Sequence, residues 1–286
     1  MAQPEIPPPT QAMPDALAVI GGGAMAGAIL SGAADAAVLP ARVCVAEPDG
    51  SRRAAFATTV ASVVEAVSWL ENTEVSPGSG QMLLAVKPQA FPGVVGELAD
   101  AGCDVGTRTV ISILAGTRGA TLREGLGGSV RVIRVMPNTP AQIGRGTTAI
   151  AVSAGATDAD AAFARRLFRG VGSVVVDLEE SQMDAFTAVA GSGPAYVFSL
   201  AEAMERAGAE VGLPAEHIRA IVAETIAGSA ELLSCSSDDP ATLRQRVTSK
   251  GGTTAAALSV LDEAGVGDAF VRAIEAARDR GRELGG

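Results

Sequence analysis

Short hydrophobic runs alternate with stretches of helical spacing through the first 178 residues. Most of the runs are almost wholly apolar, as strands buried on both faces of a sheet are. Because strands and helices alternate, the pattern predicts a mostly parallel sheet with helices on both faces. The predicted strands are LAVI (17–20), VCVAE (43–47), QMLLAV (81–86), TVISIL (109–114), RVIRVM (131–136), TTAIAV (147–152) and SVVVDL (173–178).

After Leu178 the apolar residues follow helical spacing, and no further strand is predicted. The GSGP segment (191–194) breaks or kinks the first helix of this half, since Gly-Pro interrupts helices by itself. The fold class predicted is therefore α/β, with a Rossmann-type domain at 16–178 and an all-α domain at 179–286. The helical segments are expected at 181–190, 196–212, 215–233 and 253–265.

The first 15 residues are predicted to be a disordered tail. They hold five of the 15 prolines and no Lys or Arg, so they lack the basic start of a signal peptide. The uncharged run 16–34 has the length of a membrane span, but five glycines interrupt it. A buried strand followed by a packed helix explains that run better.

Charge and cysteine content narrow the classes of partner. The formal net charge of −10 disfavours nucleic acid and anionic membranes, whose phosphates need a positive surface. Cys44, Cys103 and Cys235 form no CxxC pair, and His217 is the single histidine. We therefore expect no metal site, no disulfide framework and a cytoplasmic location. His217 is expected on the surface of a helix.

The segment LAVIGGGAMAGAIL (17–30) reads as a strand, a glycine turn and a helix. Gly21, Gly23 and Ala26 fit the G-x-G-x-x-[GA] pattern, in which the pyrophosphate of a dinucleotide sits on the helix N-terminus. The first helical residues, Ala24 and Met25, are expected to touch the same coenzyme. The alternative is an ordinary strand-to-helix turn.

The second predicted strand ends at Glu47, the position of the acidic residue that accepts the ribose hydroxyls of NADH. Arg52 and Arg53 follow closely and could pair with the 2′-phosphate of NADPH. The alternative for both arginines is a solvated first turn of the next helix. NADPH or NADH is therefore the expected coenzyme, with NADPH slightly favoured.

Other candidate residues follow strands, where doubly wound folds bind their ligands. Lysine occurs only twice, and Lys87 lies with Pro88 just after a strand. Ala115 and Gly116 follow the next strand, and Asn138 lies in the proline-stiffened loop after RVIRVM. All are predicted coenzyme contacts. A rigid crossover without ligand contact is the alternative for the Asn138 loop.

The second lysine, Lys250, lies in VTSKGGTTAAAL (247–258), where two glycines and several hydroxyl residues precede a helix-prone run. Bare backbone N–H groups and hydroxyls at a helix N-terminus suit an anion. The predicted substrate-binding residues are Ser249, Gly251, Gly252, Thr253 and Thr254. The alternative is that Thr254 simply caps the helix.

Six segments in this order resemble pyrroline-5-carboxylate reductase: GGGAM, AVKPQ, SILAGT, RVMPNTPAQIGRG, AGSGPAYVF and VTSKGGTTAAAL. The resemblance runs from about Leu17 to Arg282. It departs from the family at Ala26, where a third glycine is common, and at Lys250, where proline is frequent.

The resemblance implies that NAD(P)H reduces 1-pyrroline-5-carboxylate to L-proline, the last step of proline synthesis. It implies catalytic roles for Thr254, at the imine nitrogen, and for Lys87, with the substrate carboxylate held by the loop around Gly251. It also implies a homodimer through the helical domain and possibly a higher homo-oligomer. The alternatives are another NAD(P)-dependent imine or β-hydroxyacid reductase, or a nucleotide-binding protein without turnover. A β-hydroxyacid dehydrogenase would place a lysine on the long interdomain helix, and residues 181–212 contain none.

Overall fold

The structure is a computed structural model that describes residues 13–76 and 78–285. The predicted disordered tail lies outside this range except for its last three residues. Those three are packed: Pro14 is buried, and the Asp15 carboxylate accepts hydrogen bonds from the Val75 N–H and the Ser79 hydroxyl. The expectation of disorder up to residue 15 is therefore wrong at its end, because Val75 and Ser79 bind the Asp15 carboxylate.

The described residues form one eight-stranded sheet in the order β3-β2-β1-β4-β5-β6-β7-β8. The first six strands are parallel, β7 is antiparallel to β6, and β8 is parallel to β7. The predicted sheet and its seven strands are confirmed. The bounds are β1 Leu17–Ile20, β2 Val43–Ala46, β3 Thr59–Val60, β4 Gln81–Leu84, β5 Thr109–Ser112, β6 Arg131–Met136, β7 Thr147–Val152 and β8 Val174–Asp177.

Helices cover both faces of the sheet, which explains the continuous apolar strands. In β1, Ala18 and Ile20 join a core with the helices that begin at Val63, Phe91 and Gly119. Leu17 and Val19 join a second core with the helices that begin at Ala24 and Ala161. The helices of this part are α1 Ala24–Asp35, α2 Gly50–Arg53, α3 Val63–Thr73, α4 Phe91–Asp100, α5 Gly119–Gly125 and α6 Ala161–Arg169. The prediction missed only β3, because a strand of two residues leaves no hydrophobic pattern.

The second half is helical, and its described residues contain no strand beyond β8, as predicted. A turn of π-helix at Thr187–Gly191 interrupts the first helix, where the GSGP segment predicted a break or kink. The helices of this half are α7 Met183–Phe186, α8 Gly193–Glu210, α9 Ala215–Cys235, α10 Pro240–Arg246, α11 Thr253–Glu263 and α12 Val266–Leu284.

Two compact units divide the chain after Ser192. The sheet unit extends to Ser192 and includes the chain end from Ala277, and the helical unit is Gly193–Ala276. This division falls later than the predicted boundary at 178/179. The reason is that Met183, 2% exposed, packs with Ala149 and Ala151 of β7.

Among the described residues, no helix combines the length and the apolar character needed to cross a bilayer. The uncharged run 16–34 is instead β1, the glycine turn and most of α1.

Candidate functional site

The turn between β1 and α1 depends on Gly21. Its φ of +102° is in the left-handed region that favours glycine, and an added Cβ would lie 2.9 Å from the Ala85 carbonyl oxygen. The backbone of β1 therefore passes directly beside the end of β4. Any side chain here would push the two strand ends apart.

Gly22 is held by Glu47 across 25 residues of sequence. The Gly22 N–H donates to Glu47 Oε2 at 2.9 Å, and the Asp49 N–H donates to Glu47 Oε1 at 3.0 Å. Glu47 is 4% exposed, and an added Cβ on Gly22 would lie 3.1 Å from Glu47 Cβ. Glu47 thus ties the glycine turn to the end of β2. Each oxygen still has a lone pair for a further donor.

Gly23 leaves the N-terminus of α1 open. An added Cβ on Gly23 would have no atom within 4 Å, and Gly23 is the N-cap residue with no side-chain cap. Of the next residues, Ala24 is exposed and Met25 is half-buried against the core. Ala26 is fully buried, which lets α1 lie close to the sheet. Unpartnered N–H groups at a helix start favour an anion.

The two arginines after β2 have different surroundings. Arg53 Nη1 donates to the carbonyl oxygens of Glu47 at 2.7 Å and Pro48 at 2.9 Å. The Arg52 side chain is 60% exposed. Its Nε lies 3.6 Å from Asp49 Oδ2, and its Nη1 lies 3.8 Å from Glu47 Oε1. Arg53 therefore supports the local backbone, whereas the Arg52 guanidinium is mostly exposed.

A cavity of 490 Å³ opens beyond the carboxyl ends of β1, β2 and β4. It is lined by five of the predicted coenzyme residues: Gly21, Gly23, Glu47, Arg52 and Lys87. Lys87 is exposed, and its ammonium group pairs with no other described residue. The site therefore combines an open helix N-terminus with two cationic side chains.

Other residues that line this cavity were not predicted. Ser62 and Val63 begin α3, and Gly93 lies in α4. Ser62 caps α3 by accepting the Glu65 N–H at 3.2 Å. The Ser-x-x-Glu spacing marks such a cap in the sequence, but it carries no sign of a neighbouring ligand site.

Six predicted coenzyme residues do not line this cavity: Ala24, Met25, Pro88, Ala115, Gly116 and Asn138. Pro88 begins a short 3-10 helix, and Ala115 is exposed. Gly116, with φ of +73°, packs against the end of α12, where its added Cβ would lie 3.3 Å from Leu284 Cβ. The structure therefore gives Gly116 a packing role that the sequence did not predict.

Both side-chain amide atoms of Asn138 form hydrogen bonds within the protein. Its Nδ2 donates to the Ala190 carbonyl at 3.0 Å, and its Oδ1 accepts the Thr147 N–H at 2.9 Å. The residue is 8% exposed. It joins the loop after β6 to β7 and to the π-helical turn, which fits the alternative of a rigid crossover. A coenzyme contact from Asn138 stays a prediction.

The loop before α11 forms a second open helix start, in the helical unit. Gly252 is the N-cap residue without a side-chain cap, so Thr253 and Thr254 are the first two helical residues. The alternative that Thr254 caps the helix is therefore wrong. An added Cβ on Gly252 would lie 2.4 Å from Ser249 Oγ.

The remaining residues of this loop face solvent. Ser249, Lys250 and Gly251 are exposed, and Gly251 has φ of +72°. His217 is also exposed, near the start of α9, as predicted. Hydroxyls and backbone N–H groups thus surround an uncapped helix start.

Comparison with known proteins connects these features to one class of enzyme. The sequence profile for pyrroline-5-carboxylate reductase dimerisation matches residues 180–284. A second profile, for coenzyme F420-dependent NADP oxidoreductase, matches residues 16–116. The chain therefore combines a nicotinamide-type Rossmann domain with the helical segment of one reductase family.

Relatives cover nearly the whole chain. A pyrroline-5-carboxylate reductase of Synechocystis sp. is 40% identical over 94% of this chain and 98% of its own. A solved reductase of this name from Coxiella burnetii has a TM-score of 0.81 at 29% identity, covering 96% of this chain and all of its own. A Plasmodium falciparum pyrroline carboxylate reductase, solved with NADP bound, has a TM-score of 0.78 at 25% identity over the same shares. The chain belongs to the pyrroline-5-carboxylate reductase family.

Proposed function

We propose that this protein reduces 1-pyrroline-5-carboxylate to L-proline with NAD(P)H, as the last step of proline synthesis. The observation that carries the proposal is the pair of uncapped helix starts, at Gly23 and at Gly252, each built on glycines. One suits a pyrophosphate and the other a carboxylate. Relatives named for this activity, 40% identical in one case, support the same assignment.

The residues at the first helix start fit a nicotinamide dinucleotide. The free space at Gly23 admits the pyrophosphate against the N–H groups of α1, and Ala24 and Met25 follow directly. Glu47, Arg52 and Lys87 line the adjoining cavity. A coenzyme held there would supply a hydride to the carbon of the protonated imine, and the C=N electron pair would become the lone pair of the amine nitrogen.

The residues at the second helix start fit the substrate. The backbone N–H groups of Gly251 and Thr253 hold the carboxylate, with the Ser249 hydroxyl beside them. The Gly252 N–H donates to the Ser249 carbonyl at 3.0 Å, so Gly252 contributes the space left by its missing side chain. Thr254 offers its hydroxyl to the imine nitrogen. Lys87 contributes positive charge next to the coenzyme. A protonated imine accepts hydride without a strong enzymatic base, which agrees with a single exposed histidine.

The helical unit fits a homodimer or a larger homo-oligomer. The described parts of α10, α11 and α12 contain no buried residue. Several large apolar side chains of α11 and α12 are exposed instead, and extensive exposed apolar surface marks an interface. The exposed residues of this unit include Val197, Phe198, Leu200, Ile221, Leu232, Leu233, Val260, Leu261, Phe270 and Val271. A cytoplasmic location and the absence of nucleic-acid and membrane partners stay predictions from charge and cysteine content.

We expect the purified protein to oxidise NADPH or NADH when pyrroline-5-carboxylate is added, without added metal. The reason is that the proposed chemistry needs only the coenzyme, an anion site and a proton. The measurement is loss of absorbance from the reduced coenzyme, compared with a panel of other cyclic imines and keto acids. Activity lost to a chelator, or no turnover with either coenzyme, would contradict the proposal.

We expect Arg52→Ala to weaken the binding of NADPH and to leave the binding of NADH unchanged. The Arg52 side chain lines the cavity, whereas Arg53 does not. Because Arg52 is 60% exposed, the KM for NADPH should rise by about tenfold or less. Arg53→Ala is the matched control, since its guanidinium serves the Glu47 and Pro48 carbonyls. An equal change in the KM of both coenzymes would contradict this prediction. Arg52 would then be a solvated residue without a phosphate contact, and Glu47 would favour NADH.

We expect Thr254→Ala and Ser249→Ala to lower kcat/KM while coenzyme binding stays nearly intact. Loss of a hydroxyl donor to a charged group costs roughly 1.5–3 kcal/mol, about tenfold to a hundredfold. Thr254→Ser should retain activity. Gly252→Ala should do similar harm, because its Cβ would displace the Ser249 hydroxyl.

The matched control for these variants is Thr248→Ala, whose hydroxyl donates to the Arg244 carbonyl instead. A loss of kcat as well as KM in Thr254→Ala assigns this hydroxyl to the transition state. Wild-type kinetics in folded Thr254→Ala and Ser249→Ala would place the carboxylate site elsewhere.

A further inference from the structure

A second cavity, of 520 Å³, lies within the sheet unit and shares no lining residue with the coenzyme cavity. It is bounded by the loop after β5, the start of α7 and the end of α12. Its charged lining consists of Arg118, Arg134, Glu180, Asp184 and Arg282. The described reaction uses none of these side chains.

Two of the five charges neutralise each other. Arg134 is 8% exposed at its side chain, and its Nη1 lies 3.1 Å from Glu180 Oε1. Glu180 also accepts the Gly119 N–H at 2.8 Å and the Ser153 hydroxyl. Burial alone would raise the pKa of Glu180. The hydrogen bonds from Gly119 and Ser153 and the charge of Arg134 have a larger effect in the opposite direction, so the pKa of Glu180 is lowered. This pair forms a fixed wall of the cavity.

The other three charges remain available to a ligand. Arg118 and Asp184 each form no ion pair or side-chain hydrogen bond with another described residue. Within residues 13–76 and 78–285, the one ion-pair partner of Arg282 is Asp279, whose Oδ1 lies 3.7 Å from Arg282 Nη1, and both side chains are more than half exposed. Two guanidinium groups and one carboxylate therefore face one cavity, with the Ser181 hydroxyl beside them.

We propose that this cavity binds an acidic α-amino acid, with its two carboxylates on Arg118 and Arg282 and its ammonium group on Asp184. The charges match: two carboxylates and one ammonium complement two guanidinium groups and one carboxylate. Arginine binds carboxylates through two parallel hydrogen bonds, which gives both orientation and strength. A cavity of this volume is in the range of small-molecule sites. The site is separate from the coenzyme cavity and independent of the proposed reaction.

The test is titration calorimetry of the full chain with L-glutamate. We expect saturable binding to the wild type. Arg118→Gln and Asp184→Asn should each weaken it by about tenfold to a hundredfold, the usual loss for one charged hydrogen bond. Arg280→Gln is the matched control on α12, because Arg280 pairs with Glu283 and lines neither cavity. It should bind like the wild type.

Two analogues test the same contacts without altering the protein. Glutarate lacks the ammonium group and L-glutamine lacks one carboxylate, so both should bind more weakly than L-glutamate. This comparison stands even if Asp184→Asn fails to fold. NADPH titrations of the variants should match the wild type. No binding of L-glutamate, equal binding of the analogues, or competition with NADPH would overturn the proposal.

Discussion

One buried hydrogen bond sets the geometry of the coenzyme site: Gly22 N–H to Glu47 Oε2 at 2.9 Å. Glu47 is only 4% exposed, and burying a carboxylate costs free energy unless it is hydrogen-bonded; here both of its oxygens accept backbone N–H groups. The bond holds the end of β2 against the turn before α1. Because the turn is fixed there, Gly23 and the open N-terminus of α1 face the cavity rather than the core.

The helical unit also contains a helix that begins at a glycine N-cap, here at Gly252. Gly252 takes the N-cap position and supplies no side chain, so the first N–H groups of α11 stay unpaired among the described residues. Ser249, packed where a Gly252 methyl would go, places a hydroxyl at that start. A serine or threonine at the N-cap would accept one of these N–H groups with its own side-chain oxygen. Glycine leaves them available to an anion.

The sequence predicted what depends on local pattern and missed what depends on distant contacts. β1 and the Gly21–Gly23 turn follow from apolar runs and glycine spacing. The Glu47–Gly22 bond spans 25 residues, so no local pattern could indicate that Glu47 is occupied by the backbone. Asn138 likewise meets Ala190, far along the chain. Arg52 and Arg53 are neighbours of one type, and only the direction of each side chain separates their roles.

The account is tested most directly by following the hydride itself. The protein is incubated with pyrroline-5-carboxylate and NADPH carrying deuterium at both positions of the nicotinamide C4, and the product is analysed by mass spectrometry and NMR. The account predicts L-proline with one deuterium, bound to the ring carbon that was part of the C=N bond. Unlabelled proline, deuterium at another carbon, or no proline with either deuterated NADPH or deuterated NADH would contradict it.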